Sequence, residues 1–201
     1  MKLNEWIRFF DAMALQGKNI FSVTELANAS GSPLDSQRVA LTRLRQAGVL
    51  TSPARGFYAR PHRVSWEELL PLVDASAYLS CAGALEHHGL ITQRLLRVDA
   101  FSRRRYTRSP ERATELGRVL FHSVNPPVYH HPGGVWATPE QALFDEAWRL
   151  RRRGARIQGM YTFGGGAACD PGVLAGIADR YPKTVQNDVQ ETLDAEAVVR
   201  G

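Results

Sequence analysis

SVTELANASGSPLDSQRVALTRLRQAGVLTSPARGFYAR, residues 22–60, reads in order as a capped short helix, a tight turn, a second helix and a small two-stranded ribbon. The helix start is signalled by FSVTEL at residues 21–26. Ser22 can accept from the backbone N–H three residues on while Glu25 reaches back, and Phe21 and Leu26 fall at the paired positions of a hydrophobic staple. The spacing predicts a helix beginning near Val23. Asn28, Ser30, Gly31, Ser32 and Pro33 then form a turn cluster of three to five residues, in which glycine supplies positive φ and proline breaks the helix.

A second helix is expected over residues 34–47, ended by Gly48, with Leu34, Leu41 and Leu44 in one sector at ~100° per residue facing the core. Ser36, Val39, Arg43 and Gln46 cluster on the opposite side, with Asp35 and Thr42 at its edge. An exposed valine beside an arginine suits a DNA major groove, where Val39 can meet a thymine methyl and Arg43 a guanine edge or a phosphate. Gln37 lies nearer the leucine side but in the first turn, the end that usually points at base edges, and is a weaker candidate. Residues 49–51 and 57–59 read as strands flanking a tip that holds Arg55, a wing from which Arg55 and Tyr58 would touch the DNA backbone. A leading helix over residues 3–16 carries an apolar stripe of Trp6, Phe9, Phe10 and Met13. This ordered set is the layout of a winged helix-turn-helix and makes double-stranded DNA the expected partner.

Composition sets the bounds. The 201 residues fit two small domains better than one, and 44% hydrophobic with 22% charged residues is ordinary for a chain with a real core. Residues 1–62 hold eight Lys/Arg against four Asp/Glu, residues 63–118 nine against seven, and residues 119–201 eight against nine. The positive excess is greatest over the expected DNA-binding unit, as counterion release from phosphates requires. Cys81 and Cys169 are isolated, with no CxxC, so neither a disulfide framework nor a thiolate zinc site is implied, and a reducing cytoplasm is expected. No run approaches the ~18 apolar residues of a membrane span, and residues 1–16 lack the marks of an export signal.

Beyond a boundary expected near Pro61, Ser65 caps a short helix with Glu68 at its third position. AYLSCAGALEHHGLITQ, residues 77–93, reads as a strand end, an N-cap at Ser80, a helix of two turns and a stop at Gly89. Residues 95–101 and 119–123 look like strands, and residues 129–136 like a hairpin around Pro132, Gly133 and Gly134. In ATPEQALFDEAWRLRRRG, residues 137–154, Thr138 as N-cap, Pro139 in the first position and Gln141 in the third open a helix whose Leu143, Ala147 and Leu150 share a face. Two further helical segments, 171–180 and 184–199, would pack on the sheet or serve a dimer.

On these two stretches the chain resembles the AbiEi family, antitoxin-type regulators of type IV toxin–antitoxin systems. The first motif is Tyr78, Leu79, Ser80, Ala84, Leu85, His88, Gly89, Leu90 and Ile91, with Gly83 where alanine or serine is usual; the second is Ala137, Thr138, Pro139, Glu140, Ala142, Leu143 and Asp145, with Gln141 where a basic residue is usual. The resemblance implies an N-terminal winged helix and an autorepressor of its own operon. It further implies an antitoxin that counters a nucleotidyltransferase-like toxin without requiring direct contact with it.

Catalytic and metal chemistry find little support. The adjacent pairs His87–His88 and His130–His131, with His122 nearby, invite a metal reading, but His87 and His88 point about 100° apart on a helix, and His88 reads as a packed or capping residue before Gly89. Asp99 in a predicted strand invites a nuclease-like carboxylate site, but residues 19–182 contain no lysine to polarise an attacking water. Gly164, Gly165 and Gly166 lack the Lys-Ser/Thr of a phosphate loop. Cys81 at a helix start could have a lowered thiol pKa but shows no partner base. Arg103, Arg104, Arg105, Tyr106 and Arg108 form the densest basic patch outside the first domain, either a solvated loop or a second phosphate-contacting surface. The expectation is therefore a two-domain α+β protein, a winged helix-turn-helix over residues 1–62 and a mixed α/β domain over residues 63–201, with no cofactor, no metal and no catalytic residues. It would act as a repressor on an inverted-repeat operator, where a homodimer is one arrangement. The alternative is a nucleic-acid-processing enzyme with a nuclease-like second domain.

Overall fold

A computed structural model describes residues 2–107, 109–164 and 169–196 of the chain. It is a mixed α/β protein of two compact units, one formed by Met1–Val73 with Ala113–Leu116 and the other by Asp74–Arg112 with Gly117–Gly201. The first unit therefore runs past Pro61 through the helix that Ser65 opens.

In the first unit, α1 (Leu3–Leu15) leads into β1 (Ile20–Ser22), α2 (Val23–Ser30), α3 (Leu34–Gln46), β2 (Phe57–Ala59) and α4 (Trp66–Val73). The start of α2 is fixed reciprocally: the Glu25 N–H donates to Ser22 Oγ at 3.2 Å, and the Ser22 N–H to the Glu25 carboxylate at 2.7 Å. Asn28 and Ser30 belong to α2, not to the turn. Gly31 ends that helix in the left-handed region at φ 64°, leaving only residues 31–33 between α2 and α3. The unit's core is an aromatic cluster, with Trp6 stacked on Phe10 at 5.5 Å and Phe21 edge-on to Phe10 at 5.4 Å, closed by Leu26, Leu41, Leu44 and Leu50.

Three expectations need correction here. Leu34 is 46% exposed, because it is the first residue of α3 and points off the end of the packed face. Gln37 takes the inward position instead. Residues 49–51 are not a strand: β2 pairs antiparallel with β1, Phe21 opposite Tyr58, and Thr51 adds one bridge to Ala59.

The second unit carries β3 (Tyr78–Ser80), β4 (Arg97–Ser102) and β6 (Gly117–Ser123), in that order in one sheet, with β5 (Glu111–Thr114), of which Glu111 and Arg112 belong to this unit, as the fourth strand beside β6. β3 and β4 run antiparallel, with Ser80 opposite Asp99, and β4 and β6 run parallel. The expected hairpin over residues 129–136 does not form. The Leu79 N–H instead donates to the Val135 carbonyl at 2.7 Å and the Ala137 N–H to the Leu79 carbonyl at 2.8 Å, so this segment is held by β3, far away in sequence.

Helix α5 (Cys81–His87) lies close against β4. A Cβ at position 83 would sit 3.1 Å from Val98 Cγ1, a tight approach that glycine leaves open. Helix α6 (Pro139–Arg151) is the unit's axis, buried from Glu140 to Ala147, with α5, α7 (Pro171–Ala178) and α8 (Lys183–Glu196) packed on it. Burial on all sides explains why its apolar residues are not confined to one stripe. The C-terminal helices thus cover α6; the part of the expected last helix beyond 196 lies outside the described residues. No helix among the described residues is long and apolar enough to cross a membrane.

Candidate nucleic-acid interface

Burial of Leu41 and Leu44 fixes the rotation of α3, and the residues opposite them face outward: Ser36, Val39, Thr42, Arg43 and Gln46 are all exposed, Val39 at 52%. The Thr42 hydroxyl donates back to the Arg38 carbonyl at 2.9 Å, and Arg38 pairs with Asp35 at 3.1 Å. Among the described residues Arg43 has no carboxylate partner, so its guanidinium is available to an incoming anion. Gln37 does not belong to this surface. It is 1% exposed and its Oε1 accepts from Ser30 Oγ at 2.9 Å, which ties the end of α2 to the first turn of α3.

Between Thr51 and Phe57, Arg55 is exposed at the tip while Pro53 is buried, and the Ser52 hydroxyl closes the loop by donating toward the Ala54 and Phe57 carbonyls, each at 3.1 Å. Tyr58 is half-buried against the aromatic core, which leaves only part of the ring to meet a ligand.

The motif residues of the second unit converge on a different kind of centre. The fully buried Asp145 carboxylate accepts from Ser80 Oγ at 2.6 Å, Tyr181 Oη at 2.8 Å and Tyr78 Oη at 3.2 Å. Burial pushes its pKa up, against the pull of the three hydroxyl donors, to about 7, with the neighbouring Glu146 charge adding to the rise. Burial and the Asp145 charge raise both tyrosines, so they remain protonated donors. Ser80 stands at the N-cap position of α5 but makes no cap; its hydroxyl is committed to Asp145.

The other motif residues also tie elements together. His88 Nε2 lies 2.7 Å from the Ala137 carbonyl and must donate to it, joining the end of α5, closed at Gly89, to the start of α6. Pro139 opens α6, Thr138 Oγ1 accepts from the Gln141 N–H at 3.3 Å, and buried Glu140 accepts from the Asp170 N–H at 2.9 Å at the head of α7. The Gln141 side chain does not reach back to the helix start; it donates to the His130 carbonyl at 2.6 Å.

The groups that suggested chemistry are similarly committed. Burial would raise the Asp99 carboxyl, but its bond to His122 Nε2 at 2.6 Å and the Arg149 charge hold it below the usual range. The Cys81 thiol is raised, not lowered: it is fully buried and surrounded by Glu146, Asp99 and Asp145. His87 stacks on Trp136 at 4.1 Å. Among the described residues no group of three His, Cys, Asp or Glu side chains is placed to hold a metal ion. Gly165, Gly166 and Arg108 lie outside the described residues.

Hydroxyl–carboxylate contacts across 36 to 67 positions carry no local sequence signal, so Tyr181 was missed as the third donor to Asp145. The available clue was its tyrosine type in an otherwise helical tail. No family model matches the chain, and no curated protein matches it.

Proposed function

We propose that the chain is a DNA-binding transcriptional repressor in which residues 1–62 act as a winged helix-turn-helix, α3 entering the major groove and the Arg55 loop lying against the backbone. The observation that carries the reading is the outward face of α3, where an apolar Val39 stands exposed beside Arg43 on a helix held from behind by Leu41 and Leu44. A solvated helix gains nothing from an exposed valine, whereas a groove presents thymine methyls and guanine acceptors to these side chains. The resemblance of the motif stretches to AbiEi antitoxins extends the proposal to autoregulation of an operon and to the countering of a nucleotidyltransferase-like toxin. Two copies on an inverted repeat would supply affinity that one small module lacks.

Arg43→Ala and Val39→Asp should each weaken operator binding by about 1–3 kcal/mol while leaving the melting temperature unchanged. If Arg43 meets a phosphate, its loss should also flatten the salt dependence by about one unit of slope. Gel-shift titrations at several salt concentrations decide it, and unchanged affinity in both variants would remove α3 from the groove. Arg55→Ala should lower affinity for operator and unrelated duplex alike, because a loop on the backbone positions without reading sequence. A changed base preference in that variant would assign the loop a different role. Protection from the toxin should reside in residues 63–201, as tested by co-expressing variants of the full chain with the neighbouring gene from a foreign promoter. Arg43→Ala should still protect; loss of protection in that variant would make DNA binding part of the antitoxin activity.

A further inference from the structure

The second unit contains a cavity of about 360 Å³ lined by Tyr106, Phe121, His122, Ser123, Trp148, Arg149, Arg152 and Arg153. Its walls combine two chemistries. Tyr106 and Phe121 stack at 4.5 Å and 18°, and Trp148 adds a third ring. The Arg152 guanidinium lies 4.8 Å from the Trp148 ring centre, and that of Arg104 lies 5.7 Å from the Tyr106 ring centre. Among the described residues, neither Arg104, Arg152 nor Arg153 pairs with a carboxylate, and no carboxylate lines the cavity.

The walls are also held in place. Arg149 is fixed by Glu146 at 2.5 and 2.8 Å, His122 by Asp99 at 2.6 Å, and the Tyr106 hydroxyl donates to Asp74 at 2.6 Å. Phe121 to Ser123 belong to β6, and Trp148 and Arg149 to the buried axis α6, so one wall of the cavity is built on regular elements, while Tyr106, Arg152 and Arg153 lie in the segments beside them.

We propose that this cavity binds a nucleoside monophosphate, its base against the Trp148 ring and the Tyr106–Phe121 stack and its phosphate held by Arg152 and Arg153. Unpaired guanidinium groups call for an anion and the rings for a planar partner; a bare inorganic anion would leave the rings without a role, and an apolar metabolite the cations. The volume falls near the lower end of small-molecule sites, roughly 300–1,000 Å³, which suits one nucleotide rather than a strand. The cavity is lined by residues of the second unit alone, and Arg152 and Arg153, which follow α6, gain a role in it.

Isothermal titration of the full chain with AMP and GMP, and separately with adenosine, inorganic phosphate and a single-stranded oligonucleotide, tests the proposal. At least one nucleotide should bind, adenosine and phosphate should bind at least about tenfold more weakly, and Arg152→Gln/Arg153→Gln should lose about tenfold or more with an unchanged melting temperature. Arg43→Ala should bind the nucleotide like the wild type, so this test succeeds or fails independently of the DNA reading. The proposal is overturned if neither nucleotide binds, if phosphate binds as tightly as AMP, if the double variant is unaffected, or if only the oligonucleotide binds.

Discussion

Arg149→Met is expected to destabilise the second unit by about 3–5 kcal/mol, a fall in Tm on the order of 10 °C. Glu146 is fully buried, and its carboxylate is satisfied by Arg149 Nε at 2.8 Å, Arg149 Nη2 at 2.5 Å and the Tyr161 hydroxyl. Burial works against the Arg149 charge, but the Glu146 contacts outweigh it and raise the arginine's pKa. Removing the arginine leaves an uncompensated carboxylate in a dry site with a single donor. Most of the loss should return in Glu146→Gln/Arg149→Met, where the buried charge is gone and the amide oxygen still accepts from Tyr161. Thermal melts of the two variants beside the wild type measure both effects. A double variant as unstable as Arg149→Met would mean that the pair stabilises through packing rather than through charge compensation.

Asp145→Asn should change how stability depends on pH. The folded Asp145 has a pKa of about 7 against 3.8 for an ordinary aspartate, so the folded state favours the protonated acid. Below pH about 4 both states hold the proton and no penalty exists. Between about 4 and 7 the unfolded chain has lost a proton that the folded chain keeps, and stability falls as pH rises; above 7 the whole penalty, on the order of 4 kcal/mol, is in place. An asparagine carries no such titration. The stability of Asp145→Asn relative to the wild type should therefore rise between pH 4 and 8, read from denaturant midpoints at fixed ionic strength. Parallel pH curves would show that Ser80, Tyr78 and Tyr181 keep the carboxylate ionised in the fold.

What was legible in the chain is what depends on neighbouring residues. The Ser22–Glu25 box, the left-handed Gly31 and the Thr138 cap are contacts within four positions, and each starts or stops a helix as read. Strand partners were less legible. Ile20–Ser22 was hidden because Phe21 and Ser22 already served as staple and cap, and Pro132-Gly133-Gly134 imitated a hairpin turn although its flanking backbone pairs with Leu79. The helical wheel placed Arg43 and Val39 outward but could not see that a three-residue turn leaves Leu34 at the helix end and turns Gln37 inward. Residues 77–93 and 137–154 stood out as stretches in the sequence. That Tyr78, Ser80, His88, Glu140 and Asp145 act as ties between α5, α6, α7 and the sheet depended on contacts 30 or more positions apart, which composition and spacing do not record.

The central claim, that the α3 face reads DNA sequence, is tested most directly by comparing the full chain's affinity for the duplex upstream of its own coding sequence with that for a scrambled duplex, by fluorescence anisotropy at fixed physiological salt. A sequence-reading repressor should prefer its own duplex by about 10³-fold or more, and Val39→Asp should collapse most of that preference. Equal affinity for the two duplexes, with wild type and Val39→Asp indistinguishable, would contradict it.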